Sequence, residues 1–270
     1  MGIAASRSLA VVTGASTGIG FELAVQCAAH GFDVLICAED ERIDAAAERL
    51  RSLGATVEAV RADLATYEGN EALLRAIRAA GRPVEALLLN AGVVVNGAFV
   101  ETSLEDELRM IGLHCAAVVH AAKRIVPDMV ARGRGRVLIT ASVVSTSPTP
   151  YIAIYGATKA FDLAFAEALR EELKDTGVTV TALQPGATDT EIFERAGMQD
   201  TRVGQIRKDD PAEVAEQGFE AMMKGKDSVI AASVKSKLVG LANEILPETV
   251  KARIQAAMNK PGAGKRGEKA

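Results

Sequence analysis

Ser8-Leu9-Ala10-Val11-Val12-Thr13-Gly14-Ala15-Ser16-Thr17-Gly18-Ile19-Gly20 is the stretch on which the reading of this 270-residue chain turns. Its first half, Ser8–Thr13, is a short apolar run that breaks into Gly14, as a buried strand does. Its second half is glycine-rich and leads into Ile19–His30, which has helical spacing and stops at Gly31. Glycines between a strand and a helix permit a tight turn and a close approach of backbone to a pyrophosphate. The helix N-terminus beyond them offers free N–H groups and partial positive charge. Gly14, Ser16, Thr17, Gly18, Ile19 and Gly20 are therefore read as a phosphate loop. The spacing is G-x-x-x-G-x-G, which differs from the better-known G-x-G-x-x-G fingerprint.

The same alternation continues outward. Strands are expected at Phe32–Ala38, Ala55–Arg61, Val84–Leu89, Arg136–Ala141, Val178–Leu183 and Ser228–Ala232. Helices are expected at Arg42–Leu53, Tyr67–Ala80, Ser103–Ala131 and Ala153–Lys174. Two more follow: Pro211–Lys224, capped by Asp209 or Asp210, and Lys235–Met258, broken near Pro247. Strands that are continuous apolar runs are buried on both faces. Such βα units with short connections give an α/β fold, a doubly wound Rossmann-type parallel sheet of about seven strands with helices on both faces. No linker or repeat divides residues 1–260, which read as one dinucleotide-binding and catalytic domain. The stretch 261–270 is rich in Gly and Lys and reads as a disordered tail.

Ala38-Glu39-Asp40-Glu41 ends the second strand. An acid there can accept hydrogen bonds from the adenosine ribose hydroxyls and would repel a 2′-phosphate. No Arg or Lys stands beside Glu39 in sequence or inside the glycine loop, so NAD is favoured, with NADP left open. Asp40 or Glu41 can equally cap the next helix. Asp63, after the third strand, is placed either to bond the adenine amino group or to cap a turn.

Composition narrows the partners. A net charge of −4, aromatics at 4% and the absence of Trp offer nothing for nucleic acid. No apolar run approaches the roughly 18 residues of a membrane span. Cys27, Cys37 and Cys115 each lie in apolar stretches without metal-ligand spacing, which reads as reduced core thiols with no metal site. With no charged-then-apolar leader, a cytoplasmic location is expected.

Several motifs in order resemble the short-chain dehydrogenases/reductases, in their single-domain branch. They are Thr13–Gly20, Asp63-Leu64, Asn90-Ala91-Gly92, Ser142 placed thirteen residues before Tyr155, Tyr155-Gly156-Ala157-Thr158-Lys159 as Y-x-x-x-K, and Pro185-Gly186. The resemblance covers residues 8–232. It implies an oxidoreductase that moves a hydride between a nicotinamide cofactor and an alcohol or ketone, with Tyr155 as general acid/base. A free phenol is too weak an acid to furnish a base at neutral pH. Lys159, one helical turn on, would favour the phenolate and would also bond the nicotinamide ribose. Ser142 would hold the substrate oxygen. Asn90, Ala91 and Gly92 would pack beside the adenosine ribose and support the central strands. Pro185 and Gly186 would lie along the nicotinamide. Thr188 and Thr190 would bond the carboxamide and a phosphate, or serve only as turn hydroxyls.

His114 departs from the pattern, because the family usually carries an Asn there, thirteen residues before the position matched by Pro127. In the family that residue's backbone carbonyl holds a water that leads to the lysine. His114 is read either as filling a helix irregularity or as joining the proton relay. The segments Asn90–Val95, Val143–Ile152 and the stretch after Gly186 through Ile192, Phe193 and Met198 would line a mostly apolar substrate cleft, which suits a neutral small molecule. Small residues on two helices (Ala116, Ala117, Ala121, Ala122; Ala157, Ala160, Ala164, Ala168) allow close packing against the sheet or between subunits, and the resemblance implies a homodimer or homotetramer. The alternatives are a 3-oxoacyl-thioester reductase, and an inactive cofactor-binding regulatory protein.

Overall fold

The computed structural model describes residues 7–231 and 246–265. The chain alternates as β1 (Ser8–Thr13), α1 (Gly18–Ala29), β2 (Phe32–Ala38), α2 (Arg42–Arg51), β3 (Val57–Arg61), α3 (Tyr67–Ala79), β4 (Val84–Leu89) and α4 (Leu104–Ile111). It continues with α5 (Ala117–Arg132), β5 (Gly135–Thr140), α6 (Ala153–Leu173), β6 (Val178–Pro185), α7 (Ile192–Arg195), α8 (Arg202–Gln205), α9 (Pro211–Met223) and β7 (Ser228–Ala231). All seven strands form one sheet in the order β3-β2-β1-β4-β5-β6-β7, and every pairing is parallel.

The period-two alternation of each strand explains the layering. Leu9, Val11 and Leu87 point to one face and pack on α3, α5 and α6. Ala10, Val12 and Leu88 point to the other and pack on α1, α2 and α9. Leu87 and Leu88 are both fully buried. Truncating either to Ala should cost about 2–5 kcal/mol, as for other core leucines.

The long helix expected over 103–131 is not continuous. Between α4 and α5, Gly112–Ala116 forms a π turn closed by the Ala117 N–H on the Gly112 carbonyl. Gly112 has no room for a side chain, since a Cβ there would stand 2.7 Å from the Ala65 carbonyl oxygen. His114, in the middle of this turn, is fully buried. Of the two candidate caps for α9, Asp210 fills the place, accepting from the Ala212 N–H at 2.8 Å. The expected helix Lys235–Met258 lies outside the described residues up to 245. Within them a C-terminal helix, Glu248–Asn259, starts just after Pro247. The expected structureless tail is also corrected in its first half. Ala263–Lys265 forms a 3-10 turn held by the Gly264 N–H on the Asp200 carbonyl, and residues 266–270 lie outside the described residues.

Candidate active site

In an open parallel sheet, ligands sit beyond the carboxyl ends of the strands where the strand order reverses. Here that point lies between β1 and β4. The loop after β1 is anchored from below, as Gly14 N–H and Ala15 N–H both donate to the Cys37 carbonyl, at 2.8 and 3.2 Å. Gly14 has φ +69°, and a Cβ on it would stand 2.7 Å from Ala91 Cα. A Cβ on Gly20 would overlap the Gly14 carbonyl. Both positions thus require glycine for the loop to fold back under α1. Thr17 precedes α1 in extended conformation, its hydroxyl does not cap the helix, and the first turn carries no acid. The positive end of α1 is left for an anion, which fits a dinucleotide's pyrophosphate.

The carboxyl end of β2 is more crowded with charge than its sequence suggests. Arg109, seventy residues from Glu39, pairs with its carboxylate and also with Asp63 Oδ2 at 2.5 Å. Arg61 Nε donates to the Glu39 carbonyl at 3.1 Å. The reading that Glu39 has no cation beside it is therefore corrected: the fold supplies one from α4. Asp63 Oδ1 accepts from Ala65 N–H at 3.0 Å, the turn bond that was one of its two readings. Asp40 accepts from Arg42 N–H at 3.1 Å at the start of α2, and from Ser16 Oγ at 3.0 Å. The Arg42 guanidinium grips Asp40 and, across the mouth of the cleft, Glu191 at 2.6 Å. Arg42 holds the Asp40 carboxyl below the usual carboxylate range, opposed by its partial burial and aided by Ser16.

Asn90 ties the central strands together. Its N–H donates to Thr13 Oγ1 at 2.9 Å, its side-chain amide to the Thr13 carbonyl at 3.3 Å, and its Oδ1 accepts from Thr140 Oγ1 at 3.2 Å. Thr188 Oγ1 donates to the Gly186 carbonyl at 3.0 Å, the turn bond that was one of its two readings.

Ser142 stands just past β5 and Tyr155 in the first turn of α6, with Lys159 one turn on. Lys159 Nζ donates to the Thr140 carbonyl at 2.7 Å and to Asp162 Oδ2 at 3.0 Å. Burial by itself would depress the lysine, but the neighbouring charges of Asp162 and Tyr155 outweigh it and hold the ammonium above its ordinary value. Asp162 was not picked out from the sequence.

His114 lies beneath this group. Its Nε2 accepts from the Val93 N–H at 3.0 Å, and its Nδ1 meets Thr158 Oγ1 at 2.7 Å. Thr158 in turn donates to the Tyr155 carbonyl at 2.8 Å. This chain of bonds requires a neutral imidazole protonated on Nδ1. Burial, and then the Lys159 ammonium, push His114 well below its ordinary value. Its ring meets that of Tyr155 edge-on at 5.8 Å.

Every other candidate catalytic and cofactor-binding residue lines one cleft of about 1590 Å³, and His114 does not; of the segments expected to line the substrate side, Val95 and residues 145–151 stay outside it. The volume exceeds the roughly 300–1,000 Å³ of a drug-sized ligand site, leaving room for a dinucleotide and a substrate together. Sequence reasoning missed one wall, formed by Ile254, Gln255, Met258 and Asn259 of the C-terminal helix. Asn259 Nδ2 donates to the Pro150 carbonyl at 3.4 Å, and Asn96 Nδ2 donates to the carbonyls of Asn259 and Tyr151 at 2.9 and 3.1 Å. Tyr151 itself has φ +69°, a strained conformation for a bulky residue. Among the described residues no cluster of side chains suits a metal ion, and no helix is long and apolar enough to cross a membrane.

A dinucleotide crevice at the strand reversal, with serine, tyrosine and lysine at its far end, defines a class of nicotinamide-dependent oxidoreductases. The short chain dehydrogenase family matches residues 8–201, and the chain belongs to that family. It is an NAD(P)-dependent enzyme of this kind. Among its relatives, a glycine betaine reductase of Emericella nidulans is 32% identical over 70% of this chain, which spans only 15% of that longer protein. A short-chain dehydrogenase from Sphingobium yanoikuyae, solved in complex with NADPH, is 33% identical and superposes with a TM-score of 0.78 over 88% of this chain and 93% of its own. L-sorbose reductase from Gluconobacter frateurii, complexed with NADPH and L-sorbose, is 28% identical with a TM-score of 0.74, over 87% and 99%.

Proposed function

We propose that the chain, acting as one catalytic domain, interconverts a neutral alcohol and its ketone. The observation that carries this reading is that Tyr155 and Lys159, on one face of α6, open into the same cleft as Ser142 at the end of β5. The bound nicotinamide supplies or accepts the hydride. Ser142 holds the substrate oxygen by its hydroxyl. Tyr155 gives that oxygen its proton in reduction and takes it back in oxidation. Lys159, tied to Thr140 and Asp162, keeps one N–H for a further acceptor. His114 serves as a structural neutral residue under the tyrosine, not as a carrier of protons.

Gly14 through Gly20 and the positive end of α1 hold the pyrophosphate. Glu39 receives the adenosine ribose with Asp63 and Leu64 nearby, Asn90–Gly92 form the floor, and Pro185, Gly186, Thr188 and Thr190 face the nicotinamide. NAD(H) is the preferred cofactor in this reading: Glu39 and Asp40 line the cleft at the end of β2, where they would repel a 2′-phosphate, and Arg109 and Arg42 are already engaged by carboxylates. The NADPH of the two solved relatives argues for measuring both forms. The ketose in one relative's complex is in keeping with a neutral substrate. A second reading, reduction of a 3-oxoacyl thioester, draws on Arg207 and Lys208, which line the cleft.

The test is a panel of ketones, alcohols and 3-oxoacyl thioesters followed by reduced-cofactor absorbance with NADH and NADPH. Neutral ketones should turn over, with a higher kcat/KM for NADH. Tyr155→Phe should lower kcat by about 10²–10⁴-fold with cofactor Kd unchanged. A variant that keeps more than about a tenth of kcat refutes the acid/base role, and turnover of thioesters alone selects the second reading.

A further inference from the structure

Lys159 and Asp162 form the one ion pair among the described residues whose side chains are both almost fully buried, 5% and 1% exposed. Asp162 follows Lys159 by three residues and Tyr155 by seven, so α6 carries all three on one face. Its Oδ2 accepts from Lys159 Nζ at 3.0 Å, while its buried Oδ1 has no donor among the described residues. A buried carboxylate with half its acceptors unmet is a costly filler beside an alanine or valine. Packing alone does not account for it.

The groups that face this pair come from three elements. On α6 they are Tyr155 and the pair itself. From the π turn come His114, whose bonds require a neutral ring, and Cys115, whose thiol burial pushes up to about 11 and so keeps uncharged near neutrality. From β5 comes the Thr140 carbonyl, which accepts from Nζ at 2.7 Å. Asp162 is thus the one anion facing Lys159 among the described residues until Tyr155 ionises.

We propose that Asp162 is a positioning residue of the active site: a buried counter-anion, held by the Lys159 ammonium, that keeps Lys159 protonated inside the protein while blunting the pull of that ammonium on the Tyr155 hydroxyl. Both effects act in the same direction on pH. The anion makes the Tyr155 phenolate harder to form, which raises the acid limb of activity. It also makes Lys159 harder to deprotonate, which raises the alkaline limb. The working range therefore sits higher than Tyr155 and Lys159 alone would set it. This rests on the reading of Tyr155 as general acid/base.

The experiment replaces the charge and keeps the shape, with Asp162→Asn and the smaller Asp162→Ser as a second variant. In alcohol oxidation, both limbs of kcat/KM against pH should move to lower pH, the acid limb by about one unit, a tenfold change in proton affinity, with cofactor Kd unchanged. Limbs that superimpose on those of the unsubstituted enzyme overturn the proposal. So does failure of both variants to fold, which would make the carboxylate a folding requirement. A second readout needs no turnover: the tyrosinate absorbance lost on Tyr155→Phe, titrated with Asp162 intact and replaced. If no substrate of the panel reacts, the proposed function fails, and this titration still decides the role of Asp162. A midpoint lowered by the substitution supports it, and an unmoved one overturns it.

Discussion

Tyr155, Lys159 and Ser142 were picked out by the resemblance, and they line one cleft because four residues put two side chains on one helix face and a strand end delivers the third. Other residues could not be picked out from sequence. Arg109 reaches Glu39 from α4, and nothing in the local sequence of either foretells the pair. Asp162 reads as an ordinary helical acid until burial shows it inside. His114 is an intermediate case, since the sequence marked the position but not the partners of its two nitrogens. Its neutral state makes a prediction about stability. Unfolded, the imidazole takes a proton below about pH 6.5; folded, it does not, because burial and Lys159 hold it well below that value. Its contribution is therefore whole above the unfolded value and is lost as pH falls beneath it, by up to about 1.4 kcal/mol per unit. Urea midpoints taken from pH 7.5 down to 5 should fall less steeply in His114→Asn than in the unsubstituted chain. The kcat of the variant should stay within about threefold across the same range, against the roughly 10²–10⁴-fold expected for loss of a general acid or base. Parallel midpoint curves would mean that His114 takes up its proton in the fold as readily as in the unfolded chain.

Strands and most helices are legible because burial on both faces leaves continuous apolar runs such as Ala86-Leu87-Leu88-Leu89. The π turn is not, because one extra residue shifts the apolar spacing by a single place and both halves still read as helix. The short helices Ile192–Arg195 and Arg202–Gln205 carry too few residues to show a period. The docking of the C-terminal helix escapes for a different reason: the contacts that hold it are side-chain amides on carbonyls. Asn96 joins that helix to the strained turn at Tyr151 with two bonds from one amide. Asn96→Ala should lower stability by about 1–3 kcal/mol for the two bonds. It should also raise KM for the substrate severalfold while leaving cofactor Kd unchanged, since the wall it supports lies away from the glycine loop. Isothermal titration with cofactor and steady-state kinetics on the same preparation separate the two effects. An unchanged KM would show that this wall does not touch the substrate.

On the scale of the whole molecule, one apolar surface stands out. Leu104, Leu108 and Ile111 on α4 and Phe161 on α6 are exposed, and α4 packs against α6. Ala157, Ala164 and Ala168 keep the outer face of α6 shallow, whereas Ala117, Ala121 and Ala122 turn inward to the core. We expect a homodimer through this face. Sedimentation equilibrium should give twice the chain mass, and Phe161→Glu should return the monomer with its circular dichroism unchanged. A monomer from the unsubstituted chain at every concentration would contradict this. The sheet has a consequence of another kind, which concerns time. All of its pairings are parallel: Ser8 lies beside Phe32 and Leu9 beside Val84, with a helix to be threaded between each pair of neighbours. Long loops must close before any ladder rewards them, which places such chains in the slow regime of folding. β1 can pair with β2 and pack on α1 once they follow it, but its other edge stays open until β4 is made. The crevice between β1 and β4 does not exist until both have arrived, so the cofactor can rescue a finished subunit but not a nascent one.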